Sequence, residues 1–194
     1  MSRRTKGKAN GQAKTLSDAQ LRAALAVLTD PRDRAMFLLS AKAALRAIEI
    51  AGIRWSHIRP DQLELTSDIT KGGRPRAFPL SSDLKTALDT YREAVQPQSE
   101  DEHLFPNRQL KGGPVSANAV AQWFRYVYGQ KLGWEGFSSH SGRRTAITAM
   151  ARKISLAGGS LKDVQEIVGH SDLGTTQGYI EASTDAKKRL MNMI

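Results

Sequence analysis

From Val120 to Tyr128 the apolar residues Val120, Trp123, Phe124, Val127 and Tyr128 follow one another at helical spacing. This is the strongest amphipathic pattern in the chain. It predicts a helix with one face closed against a core, and its aromatics read as core rather than as platforms for stacked bases. The same period appears in Leu21, Leu25 and Leu28, and in Leu84, Leu88, Tyr91 and Val95 with Ala87 between them. Further helices are expected from Asp30-Pro31, with proline at its tolerated first position, and from about Leu45 to Ile53, carrying Arg46 and Glu49. Another runs from about His140 to Lys153, and a last one from Ser160 with Asp163 to Val168, where Gly169 is a terminator. Ser17 with Gln20 makes a capping box for the first helix. With 194 residues, the chain is expected to form one compact domain.

One interval breaks the helical period. Trp55–Ile58, Leu63–Leu65 and Arg76–Leu80 are short apolar runs separated by Arg59-Pro60-Asp61 and Lys71-Gly72-Gly73. They predict a small three-stranded antiparallel sheet with Lys71 at the tip of its second hairpin. The expected class is α+β, mainly α. No internal repeat or low-complexity block is present.

Charge narrows the partner. The formal net charge is +10 and the sequence pI about 10.1, which suggests a polyanion, either nucleic acid or an acidic membrane surface. Residues 1–14 supply +5 of that charge and no acid, and read either as a DNA-tracking arm or as a solvated tail. There is no cysteine, which excludes disulfides, thiolate zinc sites and cysteine nucleophiles. The four histidines, His57, His103, His140 and His170, include no pair at helical metal-ligand spacing. The apolar run Ala35–Leu39 is far short of a membrane span, and the basic start lacks the apolar core of a secretory signal. A cytoplasmic protein is the expectation.

Four stretches hold polar residues that a core does not need: Ala44–Ile50 with Arg46 and Glu49, Thr70–Arg74 with Lys71, His140–Thr145 with Arg143, and Val168–Tyr179 with Gly169-His170 and Thr175-Thr176-Gln177. Each alone admits a bland reading: Arg46 as a helix-surface arginine, Lys71 as a solvated hairpin tip, His140 and Arg143 as a chance pair. Taken in order, they carry a resemblance to the tyrosine recombinases, the phage-integrase family of site-specific DNA recombinases, over about residues 15–181. Leu45-Arg46-Ala47-Ile48-Glu49 is similar to that family's first-arginine helix, Lys71 to its hairpin lysine, and His140 with Arg143 to its His-x-x-Arg pair. Gly169-His170 is similar to its Gly-His turn, and Tyr179, nine residues on, to its nucleophile. The chain departs from the family pattern in Gly142, where leucine is usual, in Arg144, where histidine is common, and in Glu181.

The resemblance implies a fold like the DNA breaking-rejoining catalytic core and a reaction without metal, nucleotide or other cofactor. It implies the catalytic set Arg46, Lys71, His140, Arg143, His170 and Tyr179. Tyr179 would attack a backbone phosphorus, giving a 3′-phosphotyrosyl enzyme and a free 5′-hydroxyl, with His140 as base, Lys71 as acid and Glu49 orienting Arg46. Arg74, Arg76 and Arg144 are expected as phosphate contacts. Double-stranded DNA is the implied partner, with self-association on it as a synaptic tetramer, no membrane partner and no small-molecule substrate. Such a protein is expected to be bacterial or phage-encoded and nucleoid-associated. Residues 182–194 read either as a segment docking on a neighbouring protomer or as a tail folding back. Family members commonly add an N-terminal DNA-clamping domain; since the resemblance begins near residue 15, a stand-alone catalytic domain or a piece of a longer protein is expected. Two rivals are a type IB topoisomerase and a non-enzymatic DNA-binding regulator.

Overall fold

The computed structural model of the chain describes residues 13–107, 113–178 and 191–192. Its helices begin where the sequence supplies a cap. The Gln20 N–H donates to Ser17 Oγ at 3.2 Å and the Ser17 N–H to Gln20 Oε1 at 3.0 Å, opening α1 (Asp18–Val27). Asp30 accepts from the Asp33 N–H at 3.1 Å and opens α2 (Pro31–Ala41). Ala35 through Ala41 are all buried, so α2 is the central helix rather than a half-exposed one. It packs against α4 (Ser82–Val95) and against α6 (Ser139–Lys153).

The chain leaves α2 through Ala44, a buried residue in the left-handed region at φ +55°, and enters the short α3 (Ala47–Gly52), which lies on α5 (Ala117–Tyr126). The amphipathic stripe beginning at Val120 runs through α5 but does not stay α-helical. After Tyr126 the backbone widens into a π turn, Val127–Lys131, with Val127 and Tyr128 both fully buried. Phe37, Phe124, Trp134 and Phe137 surround the Tyr128 ring.

The sheet has two strands, β1 (Gln62–Leu65) and β2 (Arg76–Pro79), and not three. They are antiparallel, with Leu63 opposite Phe78 and Leu65 opposite Arg76. The expected first strand, Trp55–Ile58, is instead a 3-10 turn, Trp55–His57, followed by a single bridge from Ile58 to Leu63. Its backbone donors go elsewhere. The Arg54 N–H donates to His57 Nδ1, the Trp55 and Ser56 N–H groups donate to the Glu102 and Glu100 carbonyls, and the Ile58 N–H closes back on Trp55.

Beyond α6 come a second 3-10 turn, Ile154–Ala157, then α7 (Leu161–Val168) and α8 (Leu173–Gln177). Two apolar clusters result. The larger one centres on α2, and the smaller joins Ala44, Ala146, Ile147, Val164 and Val168. Ala44 belongs to the smaller cluster and Leu45 to the larger, so Arg46 stands at the seam between them. No helix among the described residues is long and apolar enough to cross a membrane.

Candidate active site

The seam between the two clusters is where polar residues of the first, third and fourth polar stretches meet. Arg46 precedes α3 with extended backbone, and Glu49 lies one turn on with its side chain wholly buried. Glu49 Oε2 accepts the Arg46 backbone N–H at 2.8 Å, and Oε1 accepts Arg46 Nη1 at 3.0 Å. One carboxylate thus holds both the main chain and the guanidinium of Arg46. The same two oxygens also receive Arg76 from β2, Nη1 at 3.0 Å and Nη2 at 2.9 Å in a parallel fork. Burial would raise the Glu49 pKa. Hydrogen bonds and charge from Arg76, then from Arg46, outweigh it and hold the group below the ordinary carboxylate value, as an anion.

Arg143 lies in α6, one turn below His140, and is 5% exposed. Its Nη1 donates to the carbonyl of the strained Ala44, and Nη2 donates to the Val168 carbonyl at 3.0 Å. Val168 ends α7, where the last carbonyls have no partner within the helix and carry the negative end of its dipole. A second arginine takes the carbonyl before it: Arg76 Nε donates to Ile167 O at 3.0 Å. Gly169 closes the helix at φ +66°, as its place after a capped apolar helix suggested. His170 follows directly. Its Nδ1 lies 2.9 Å from Thr176 Oγ1 in α8, and its carbonyl accepts from Gln165 Nε2. Burial, then the charges of Arg143, Arg46 and Arg76, pull the ring down to about 4, so it is neutral at physiological pH.

Arg46, Arg143 and His170 are therefore brought together. Arg76, expected as a DNA-phosphate contact, faces inward with its side chain 8% exposed and its donors on Glu49 and Ile167. His140 is exposed in the first turn of α6. Lys71 and Arg74 are exposed on the connection between β1 and β2, with Gly72 and Gly73 at positive φ, and Arg144 is half-buried on α6. Tyr179 lies outside the described residues, as do most of the expected basic arm and most of the expected C-terminal docking segment. Where the chain becomes describable, Lys14 Nζ donates to the Glu135 carbonyl and the Leu16 N–H donates to Thr145 Oγ1 on α6, two residues past Arg143. His57 and His103 stand apart from this cluster. His57 is a buried packing residue between the Arg54 N–H and Thr66, and no group of three potential metal ligands occurs among the described residues.

Three guanidinium groups and one carboxylate, around a neutral imidazole, give the cluster a net charge of +2. Such a cluster suits a singly charged phosphodiester, whose non-bridging oxygens match planar guanidinium forks.

Residues 14–185 match the model described as the phage integrase family. The chain belongs to that family. It is 33% identical over 150 residues to the tyrosine recombinase XerC of Xylella fastidiosa, covering 76% of this chain and 48% of that protein. The chain thus spans about half the length of the curated relatives it matches. Among solved structures, it is similar to the XerA recombinase, with a TM-score of 0.75 at 19% identity over 94% of this chain and 65% of that one. It is also similar to the Tn1549 transposon integrase in complex with a circular intermediate DNA, with a TM-score of 0.71 at 18% identity, covering 96% and 67% of the two chains. The integrase fold, mainly helical with a small antiparallel sheet, is the one observed here.

The Arg76–Glu49 fork and the His170–Thr176 bond were not read from the sequence. Arg76 and Glu49 are 27 positions apart and on different elements, so no local spacing announces them. Thr176 is six residues from His170, and only the turn between α7 and α8 turns that interval into a contact.

Proposed function

We propose that this chain is the catalytic part of a site-specific DNA recombinase that cleaves and rejoins strands through a tyrosyl-DNA intermediate. The observation that carries the reading is the convergence of Arg46, Arg143 and a neutral His170 in one cationic cluster. The Tyr179 oxygen attacks phosphorus and its proton passes to His140. The bond to the 5′-oxygen breaks, and that oxygen leaves with a proton from Lys71. Arg46 and Arg143 neutralise the non-bridging oxygens, where one preorganised donor is worth ~3–4 kcal/mol of barrier. A neutral imidazole has one N–H. In this reading Nδ1, 2.9 Å from Thr176 Oγ1, accepts from that hydroxyl, which places the N–H on Nε2 to donate to the phosphate. The phosphotyrosyl bond keeps the energy of the cleaved linkage, so a 5′-hydroxyl reseals it without ATP.

In this reading residues 15–181 are the catalytic domain, residues 1–14 a basic arm on the DNA, and residues 182–194 a segment that docks on a neighbouring protomer in a synaptic tetramer. Arg74 and Arg144 contact phosphates. The protein works in the cytoplasm at the nucleoid, a placement supported by its bacterial relatives.

The test is a covalent trap. The protein is incubated with a pool of nicked duplexes of randomised sequence, and SDS-resistant adducts are isolated and sequenced. Wild type should yield adducts and Tyr179→Phe none. A wild type that yields none, or a Tyr179→Phe variant that still does, overturns the reading. Strand exchange between two duplexes bearing the recovered site then separates recombination from supercoil relaxation.

A further inference from the structure

We propose that Arg76 is a positioning residue of this site, a single guanidinium that sets Arg46 and His170 relative to one another. The inference rests on the strand-cleaving reading above and adds to it the group that aligns the two phosphate-binding elements. Those elements have no covalent reason to keep a fixed distance. Arg46 lies before α3 and His170 after α7, more than a hundred residues later. Arg76 touches both of their supports. Its Nη1 and Nη2 grip the carboxylate that holds the Arg46 main chain and side chain, and its Nε grips the Ile167 carbonyl three residues before His170.

Three features mark this as positioning rather than DNA contact or plain packing. Its two Nη donors grip a buried carboxylate, an anion already in place, so a DNA phosphate could reach them only by displacing that carboxylate. All three nitrogens are used, on acceptors from two different elements, which needs the planar geometry of arginine; a lysine ammonium reaches one acceptor or the other. The backbone of the Gly-His turn also rests on the guanidinium. A Cβ on Gly169 would lie 2.9 Å from Arg76 Nη1 and 3.1 Å from its Cδ, so the glycine lets the turn seat against this side chain. The charged groups facing the His170 ring are Arg143 from α6, Arg46 ahead of α3, and Arg76 from β2.

The experiment compares wild type, Arg76→Lys and Arg76→Gln in the full chain, with thermal melting to confirm folding. Three quantities are read: single-turnover adduct formation on nicked duplex, DNA affinity as a function of salt, and the NMR titration of the His170 ring in DNA-free protein. Adduct formation should fall roughly 10–100-fold in both variants, the scale of a misplaced catalytic group. Lysine should not rescue it. Affinity and its salt slope should stay near wild type, and the His170 midpoint should move upward in Arg76→Gln. Recovery of wild-type cleavage by lysine overturns the proposal. So does a parallel loss of affinity and of about one unit of salt slope, the signature of a phosphate contact. An unmoved His170 titration overturns it as well. Because the titration needs no DNA, an unmoved midpoint overturns the proposal even if wild type forms no adduct, an outcome that counts against the strand-cleaving reading alone. Should Arg76→Gln fail to fold, Arg76→Met keeps the apolar stem and leaves Glu49 paired with Arg46, so no lone charge is buried. The same upward movement of His170 is then expected, and its absence overturns the proposal.

Discussion

Gly142→Ala is expected to destabilise the protein even though alanine is the better helix former. α6 crosses α2 at this residue. A Cβ there would lie 2.5 Å from Ser40 Oγ, 3.1 Å from Ser40 Cβ and 3.3 Å from the Ala41 backbone nitrogen. The first contact is far inside van der Waals distance, and the third involves main chain that cannot turn aside. Ser40 is fully buried, so its hydroxyl has little room to rotate into. In a helix interior, Gly→Ala gains about 0.5–1 kcal/mol. Overfilling a closed interface costs about 1–3 kcal/mol. The balance is a loss of about 1 kcal/mol, read as a lower urea midpoint with unchanged slope. Ser40 Oγ has no hydrogen-bond partner among the described residues, so Ser40→Ala alone should be neutral or stabilising. In the double variant the shortest contact is gone, and roughly 1 kcal/mol of favourable coupling should appear in the cycle. Arg143 is the next residue, and a displaced α6 would move its guanidinium against the Ala44 and Val168 carbonyls. Adduct formation should therefore fall in Gly142→Ala and recover in the double variant. A Gly142→Ala protein more stable than wild type, or a cycle with no coupling, would refute this account of the helix crossing.

Three further outcomes follow from the site. The His170 ring titrates near 4 when folded against an ordinary 6.5, so the unfolded chain binds more protons between those values and stability falls as pH drops through that window. The full shift corresponds to about 3 kcal/mol, reduced to roughly 1–2 kcal/mol by solvent screening at a half-buried ring; urea unfolding curves of wild type and His170→Gln that stay parallel from pH 7 to pH 4 would count against it. Thr176→Val removes the partner of Nδ1 and should slow adduct formation about 5–10-fold, with Thr176→Ser restoring it; equal rates in the two variants would mean the hydroxyl does not fix the tautomer. Gly169→Ala forces a Cβ into the left-handed region and onto Arg76, and should cost about 1–2 kcal/mol in urea unfolding, an unchanged midpoint being the contrary result.

What the sequence made legible divides by distance along the chain. Ser17 with Gln20, Ser160 with Asp163, and Gly169 after Val168 were readable because a cap and its acceptor lie within four residues, and all three are present as expected. The helical stripe from Val120 was readable for the same reason, but its last turn was not. A π turn keeps two apolar residues inward much as an α turn does, so the pattern cannot separate them. The third strand failed on a different ground. Trp55–Ile58 has the composition of a strand, and only the carbonyls of Glu100 and Glu102, more than forty residues away, decide that its N–H groups pair elsewhere.

The candidate site divides in the same way. Motif order, through the resemblance to the phage-integrase family, singled out Arg46, Arg143 and His170. It could not locate what aligns them. Arg76 sits in a basic stretch beside Lys71 and Arg74, where one dimension gives no reason to separate an inward arginine from two outward cations. The separation comes from strand register. Arg76 pairs with Leu65, and its guanidinium meets both a buried carboxylate and the frayed carbonyl end of α7. A buried anion without a cation, and a helix end without a donor, would each be costly alone. One arginine answers both, and in doing so it joins the halves of the site to each other. The 29 lysines and arginines are therefore not one uniform reservoir for an anionic partner: some, Arg76 among them, are already engaged by carboxylates and carbonyls inside the protein.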